Sequence, residues 1–340
     1  VGYTWVRTRA YEGNGVSRVL NMASFVRQLY VRAKQFASEF RPDVVIASST
    51  YPMDIWPARR IALLAKAKLV FEVHDLWPLS PMELGNMSKW HPFIMLVQAG
   101  ENFAYRNASA VVSMLPKVHD YMRSRGLDLR RLHIVPNGIS PEEWQQSDVL
   151  SAPQALNLLS DLKKQGRTVV GYAGTHGVAN ALDTLLNAAS LMKQDENLAF
   201  VLVGKGPDKS ALEERARAEG LKNVHFCDPV PKRQIPSLLE FFDIAFIGWH
   251  RQPLYRFGIA PNKLMDYMMA GRVVLHAVEA GNDAVGEAGC GLTVEPENPV
   301  AIVDGVRRLV LLSAGEKAQM GQRGREFVLK NHTYPILAER

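Results

Sequence analysis

Residues 255–271 read YRFGIAPNKLMDYMMAG, a stretch that sets a lysine and an acid one helical turn apart. Pro261 is placed to open a helix at its first position and Gly271 to follow its end. Lys263 then falls in the first turn, where the helix dipole disfavours a cation. An anion held at the N-terminus, with the lysine beside it, resolves that conflict. Asp266 stands at i+3 from Lys263. An anion site with a carboxylate one turn deeper suits a nucleoside diphosphate, the acid accepting from ribose hydroxyls. The competing reading is a plain Lys263–Asp266 surface pair; Gly258 and Pro261, which shape the approach, favour the anion.

Other strand-to-loop turns carry related groups. GYAGTHG (171–177) brings Gly171, Gly174 and Gly177 to a strand end ahead of a helix, where a phosphate can approach the backbone. Tight turns account for these glycines equally. In LVGKGPDK (202–209), Lys205 either faces an anion at the sheet's carboxyl edge or is a solvated turn residue. FEVHDLWP (71–78) puts His74 and Asp75 at a strand's carboxyl end, where ligands of parallel sheets sit; a structural loop histidine is the alternative. Asn137 and Gly138, in VPNGISPEEW, suit a hinge or an ordinary turn. The G-x-G-x-x-G and P-loop patterns are missing, as are a nucleophile triad and metal-ligand spacing among the nine histidines.

The elements that must position these groups alternate along the chain. Residues 16–40 carry apolar positions at helical spacing. Strands are predicted at 42–49, 68–73, 109–114 and 132–136, with helices around 53–66, 92–107 and 116–125 between them. Residues 137–165 are polar and turn-rich, as an inter-domain linker would be. The rhythm restarts with strands at 167–174, 197–204, 223–227, 243–249 and 272–278 and helices at 178–193, 208–219, 232–241 and 261–270. The strands are apolar runs, which predicts parallel sheets buried on both faces. The fold class is therefore α/β, with two Rossmann-like doubly wound parallel-sheet domains. The expected division is 1–150, 151–325 and a C-terminal helix at 326–340 that packs back toward the first domain.

The chain has 340 residues, long for one core, with 47% apolar and 22% charged residues. A net charge of +6 admits nucleic acid, an anionic membrane surface or an anionic small substrate, or simply a solvated excess of Lys and Arg. No basic stripe with interleaved aromatics argues for nucleic acid. Cys227 and Cys290 form no spaced framework, which fits a reducing cytoplasm and neither disulfide nor zinc. No stretch approaches a membrane span, and the chain opens at Val1 without a signal-peptide pattern.

In order, EVHDLWP, VPNGI, GYAGTHGVANALDTLLNAA, VGKGPDK and APNKLMDYMMAGRVVL resemble family 4 glycosyltransferases over nearly the whole chain. They are most similar to the bacterial O-antigen, capsule and colanic-acid branch, including fucosamine-transferase-like enzymes. The resemblance implies a GT-B fold, two Rossmann-like domains across a cleft. It further implies retaining, metal-free transfer from a nucleotide-sugar donor to a lipid-linked or saccharide acceptor. It needs no cofactor and places the enzyme in the cytoplasm, peripheral at the inner face of an anionic membrane. By the same resemblance Gly174, Thr175, Lys205, Val230, Gly258, Ile259, Ala260, Asn262, Lys263 and Asp266 bind the donor, with the backbone at Val230 on the base. His74 and Lys263 are its catalytic residues; Asp75, Asn137 and Gly138 lie on the acceptor side or at the hinge.

The chain departs from the family pattern in three places. Of the family's two acids spaced by seven residues, the second corresponds to Asp266 and the first to Gly258. GYAGTHGVANALD lacks the usual Arg and Lys, which leaves the diphosphate charge to Lys263 and Lys205. WVRTRAYEGNGVSRVL matches a segment normally some way into the first domain, so the first domain is expected to lack its N-terminal strands. GNG (13–15) then reads as a turn before the helix at 16. Two further readings share the architecture: a sugar-nucleotide 2-epimerase, and a binding subunit without turnover.

Overall fold

The computed structural model describes residues 2–13 and 15–340. The chain divides into two compact units, Val1–Val135 and Pro136–Arg340.

In the first unit the elements run α1 (Val16–Val31), α2 (Ala33–Phe40), β1 (Val44–Ala47), α3 (Ile55–Ala65), β2 (Lys68–Val73), α4 (Leu79–Glu83), α5 (Pro92–Asn107), β3 (Ala110–Ser113), α6 (His119–Ser124) and β4 (Leu132–Ile134). Among the described residues the strands form one parallel sheet in the order β1-β2-β3-β4. The helical stretch at 16–40 is broken at Arg32, whose φ of −87° and ψ of 3° leave the helical region. Of the GNG turn, Gly13 has a positive φ and Gly15 is the N-cap of α1; Asn14 lies outside the described residues. Pro92 opens α5, and the His91 ring nitrogen accepts the Phe93 N–H at 3.2 Å. The expected burial on both faces fails here: Val44 and Ile46 of the edge strand β1 are exposed, and β2 alternates. Glu101 of α5 is buried and accepts from Tyr105, Tyr121 and Gln98, at 3.0, 2.8 and 2.7 Å.

The second unit runs α7 (Pro141–Gln145), α8 (Pro153–Lys164), β5 (Thr168–Ala173), α9 (Leu182–Leu191), β6 (Leu198–Val203), α10 (Lys209–Ala218), β7 (Val224–Cys227), α11 (Ile235–Leu239), β8 (Ile244–Gly248), α12 (Asn262–Met269), β9 (Val273–Ala277), α13 (Ala284–Ala288), β10 (Gly291–Thr293), α14 (Pro299–Val310), α15 (Ala314–Asn331) and α16 (Tyr334–Ala338). Its parallel sheet has the order β10-β9-β8-β5-β6-β7. The chain leaves β5 on one side for β6 and β7, then returns to the other for β8 to β10. That reversal makes β5/β8 the topological switch point, where ligands of open α/β sheets bind. Strands β6, β8 and β9 are buried at every residue, as their apolar runs require.

The division falls after Val135, earlier than residue 150, because the intervening segment packs on the second unit. Leu150 is buried in that core, and its N–H donates to Ser237 at 3.0 Å. Residues 137–165 are not a bare linker. They hold α7 and α8, the latter opened by Pro153 and anchored by Ala155, Leu159 and Leu162. The 326–340 segment breaks at His332, and the Ile139 N–H donates to the His332 carbonyl at 2.8 Å. Pro261 is the N-cap of α12, not its first helical residue. Cys227 and Cys290 are free and buried.

Gly171, in the middle of β5, lies under the Phe242 ring: an added Cβ would fall 2.2 Å from a ring carbon. Gly171→Ala should therefore destabilise the protein by about 1–3 kcal/mol in denaturant unfolding. Phe242→Leu in the same chain should recover part of the loss. A single variant within about 0.5 kcal/mol of wild type would contradict this packing.

Candidate functional site

At the switch point, β5 delivers Tyr172 and then Gly174 and Thr175, while α12 supplies Lys263 from across the crevice. The Lys263 ammonium donates to the Tyr172 hydroxyl at 2.8 Å and to Asn180 Oδ1 at 2.7 Å, and lies 4.4 Å from the Tyr172 ring centroid. The Tyr172 hydroxyl in turn donates to the Thr175 carbonyl at 2.7 Å, and Asn180 Nδ2 donates to the same carbonyl at 3.1 Å. Gly174 makes room for this arrangement, because a Cβ there would sit 3.0 Å from the Lys263 nitrogen. Among the described residues no carboxylate faces the lysine, and burial lowers its pKa to about 8. The arrangement is a desolvated cation held by neutral groups. Behind it, His176 is fully buried with neither ring nitrogen hydrogen-bonded, and burial, then Lys209 and Lys263, lower it to about 4.

The N-terminus of α12 is open. Asp283, Asn298 and Ser313 cap α13, α14 and α15 with their side chains, whereas α12, like α8, α9, α10, α11 and α16, has no side-chain cap. The first N–H groups of that helix are therefore left to other acceptors. The preceding loop is irregular: Gly258 has φ 93°, which glycine alone adopts readily, and Ile259 is buried. Asn282 and Asn137 hydrogen-bond the backbone of Ile259 and Ala260.

Asp266 does not meet Lys263. With Asn262, one turn earlier, it lines a cleft of about 580 Å³ with Gly138, Glu143, Trp144, Lys232, Arg233 and Ile235 among the other walls. Burial raises Asp266 to about 6, against the opposing pull of Lys232. Asn262 is exposed at the mouth and Val230 packs on the nearby core. The plain Lys263–Asp266 pair is thus replaced by two sites on one helix, a cation at the switch point and a carboxylate in the adjoining cleft.

Lys205 is exposed in the loop after β6, where its carbonyl accepts the His176 N–H at 2.9 Å. In the first unit His74 and Asp75 follow β2, Asp75 exposed and His74 half-buried. Ser48, just after β1, gives its single hydroxyl proton to Glu72 and lies 3.0 Å from His74 Nε2. The His74 Nε2 is therefore the donor of that pair. Asn137 and Gly138 stand at the start of the second unit, Gly138 pressed against Leu337 and the His332 carbonyl.

Sequence reasoning missed Tyr172, Asn180, Trp144, Lys232 and Asn282. Tyr172 had a local signal, a phenol one residue before the strand's end in an otherwise aliphatic run. Asn282, in the turn GND, had only the turn itself.

Two family models match the chain. One, described as "Glycosyl transferase 4-like domain", covers residues 1–138, and the other, "Glycosyl transferases group 1", covers residues 167–311. WcaI of Escherichia coli (strain K12), named as a colanic acid biosynthesis glycosyl transferase, is 26% identical over 307 residues, 87% of this chain and 73% of WcaI. TuaH of Bacillus subtilis (strain 168), named as a teichuronic acid biosynthesis glycosyltransferase, is 27% identical over 150 residues, 43% of this chain and 34% of TuaH. Anabaena HepE, solved in complex with UDP, is similar with a TM-score of 0.70 at 15% identity, over 94% of this chain and 82% of its own. Sucrose-phosphate synthase from Thermosynechococcus elongatus has a TM-score of 0.70 at 17% identity, over 94% of this chain and 76% of its own. Matched in both of its units, and built as two parallel α/β sheets, the chain belongs to the group 1, family 4-like glycosyltransferases, transferases of the GT-B fold.

Proposed function

We propose that this glycosyltransferase takes a sugar from a UDP-linked donor and passes it, with retention at the anomeric carbon, to a lipid-linked saccharide during assembly of a bacterial surface polysaccharide. The observation that carries the donor half is Lys263: a desolvated ammonium at the switch point, with no acid facing it, beside a helix N-terminus with no side-chain cap. A diphosphate supplies the missing negative charge. As the sugar–phosphate bond breaks, charge grows on the leaving oxygen, where Lys263 and the α12 N–H groups stabilise it more than they stabilise the ground state. Asp266, in the adjoining cleft, accepts from the ribose hydroxyls. In the first unit, His74, oriented by Ser48 and Glu72, is the catalytic residue we assign.

UDP is favoured by the UDP complex of HepE, and the polysaccharide setting by the names of WcaI and TuaH. No described helix is long and apolar enough to cross a membrane. Contact with an anionic bilayer at the inner face of the cytoplasmic membrane is supported by exposed Tyr3 and Trp5 near Arg7 and Arg9, groups that suit that interface.

The test is transfer of label from a panel of UDP-, GDP-, ADP- and dTDP-sugars into extractable lipid, with wild type and Lys263→Ala compared. Wild type should transfer from a UDP-sugar. Lys263→Ala should lose about 100-fold or more in turnover, while its unfolding midpoint stays within a few degrees of wild type. Equal turnover in the two would contradict the role, and epimerised free donor without lipid product would contradict the reaction.

Asp266 makes a separate prediction. Its raised pKa leaves it increasingly protonated below pH 6, when it no longer accepts two hydroxyl protons. The ratio of UDP dissociation constants, wild type over Asp266→Asn, should rise on going from pH 7.5 to 5, by up to about tenfold per pH unit below 6. Taking the ratio cancels the titration of the phosphate itself. A flat ratio would contradict a ribose contact through an ionised Asp266.

A further inference from the structure

The loop at 258–261 leads into the α12 N-terminus without regular structure, yet two asparagines remote in sequence hold its backbone. Asn282 offers both ends of its amide to one residue. Its Oδ1 accepts the Ile259 N–H at 2.7 Å, and its Nδ2 donates to the Ile259 carbonyl at 3.1 Å. Only this orientation of the amide makes both bonds. Asn137 Nδ2 donates to the next carbonyl, that of Ala260, at 2.6 Å. The turn carrying Asn282 lies flush on the loop: the Gly281 N–H donates to the Tyr255 carbonyl at 2.8 Å, and a Cβ on Gly281 would fall 2.2 Å from the Arg256 carbonyl oxygen. Asn137 is itself anchored, since its carbonyl accepts from His332 Nδ1 at 3.2 Å.

The geometry has an electrostatic consequence. In a planar trans peptide the C=O and the following N–H point in opposite directions. Pinning the Ile259 carbonyl on Asn282 therefore turns the Ala260 N–H to the opposite side. Pinning the Ala260 carbonyl on Asn137 fixes the last peptide before the helix, whose nitrogen, belonging to Pro261, has no hydrogen. Two carbonyl dipoles that would repel a diphosphate, if either peptide flipped, are thus tied to amide donors.

We propose that Asn282 and Asn137 are positioning residues for the nucleotide-sugar donor, a two-sided clamp that keeps the carbonyls of Ile259 and Ala260 off the diphosphate and turns the Ala260 N–H toward it. The proposal rests on the reading that the donor docks at the α12 N-terminus. The clamp acts on the diphosphate and not on the nucleoside, which distinguishes it from a general stabilising role.

The test measures equilibrium binding of UDP, GDP, ADP and dTDP, and of each parent nucleoside, to wild type, Asn282→Ala, Asn137→Ala and Lys263→Ala. The clamp predicts that each asparagine variant binds the preferred diphosphate about tenfold more weakly while its nucleoside affinity is unchanged. Unchanged diphosphate affinity, or equal losses for diphosphate and nucleoside, would overturn the clamp. If Asn282→Ala does not fold, Asn137→Ala reads the same loop from the other side and decides alone. Failure of the underlying reading looks different: wild type binds none of the four diphosphates, or Lys263→Ala binds them as tightly as wild type does.

Discussion

A lysine taken out of water without an acid to face is the constraint around which the second unit is arranged. Lowering Lys263 from its ordinary value to about 8 costs on the order of 3 kcal/mol in the charged form. Tyr172 and Asn180 accept from the ammonium but bring no charge. A protein that wanted only stability would place an apolar side chain there. In the proposed function that uncompensated charge is an affinity for an anion, placed at the point of the sheet where strand order reverses.

The rest of the site follows from that placement. Gly174 has to be a glycine, because a side chain would press on the lysine nitrogen. The α12 helix begins without a side-chain cap, which leaves room for the anion proposed there. The loop before it has to be held from outside, which Asn282 and Asn137 do. The same helix carries Asp266 on another face, into the cleft of Trp144 and Lys232, so in the proposed function one eight-residue element serves two parts of one ligand.

Much of this could be read from the residues in order. The strand Lys68–Val73 and the helix Pro92–Asn107 lie where the alternation of apolar runs and helices predicts them. Lys263 stood out because a cation in a first helical turn opposes the dipole. What could not be read was contact between distant segments: Tyr172 is 91 residues from Lys263, and Asn137 is 123 from Ala260. Helix α8 was hidden because Ser, Asn, Asp and Gln around it mimic a linker, and only packing of Leu159 and Leu162 on the core selects the helix. The separation of Lys263 from Asp266 was hidden for a related reason. Their spacing permits a pair, and the surroundings of each decide against it.

The central claim is that Lys263 is the counter-charge of the donor diphosphate, and its protonation on binding tests that most directly. Calorimetric titration with UDP at pH 9, repeated in buffers of different ionisation enthalpy, counts the protons exchanged. Lys263 is mostly neutral there in the free protein, and a bound diphosphate raises its pKa. The account predicts net uptake approaching one proton in wild type and none in Lys263→Met. Binding without proton uptake, or equal uptake in the variant, would contradict it.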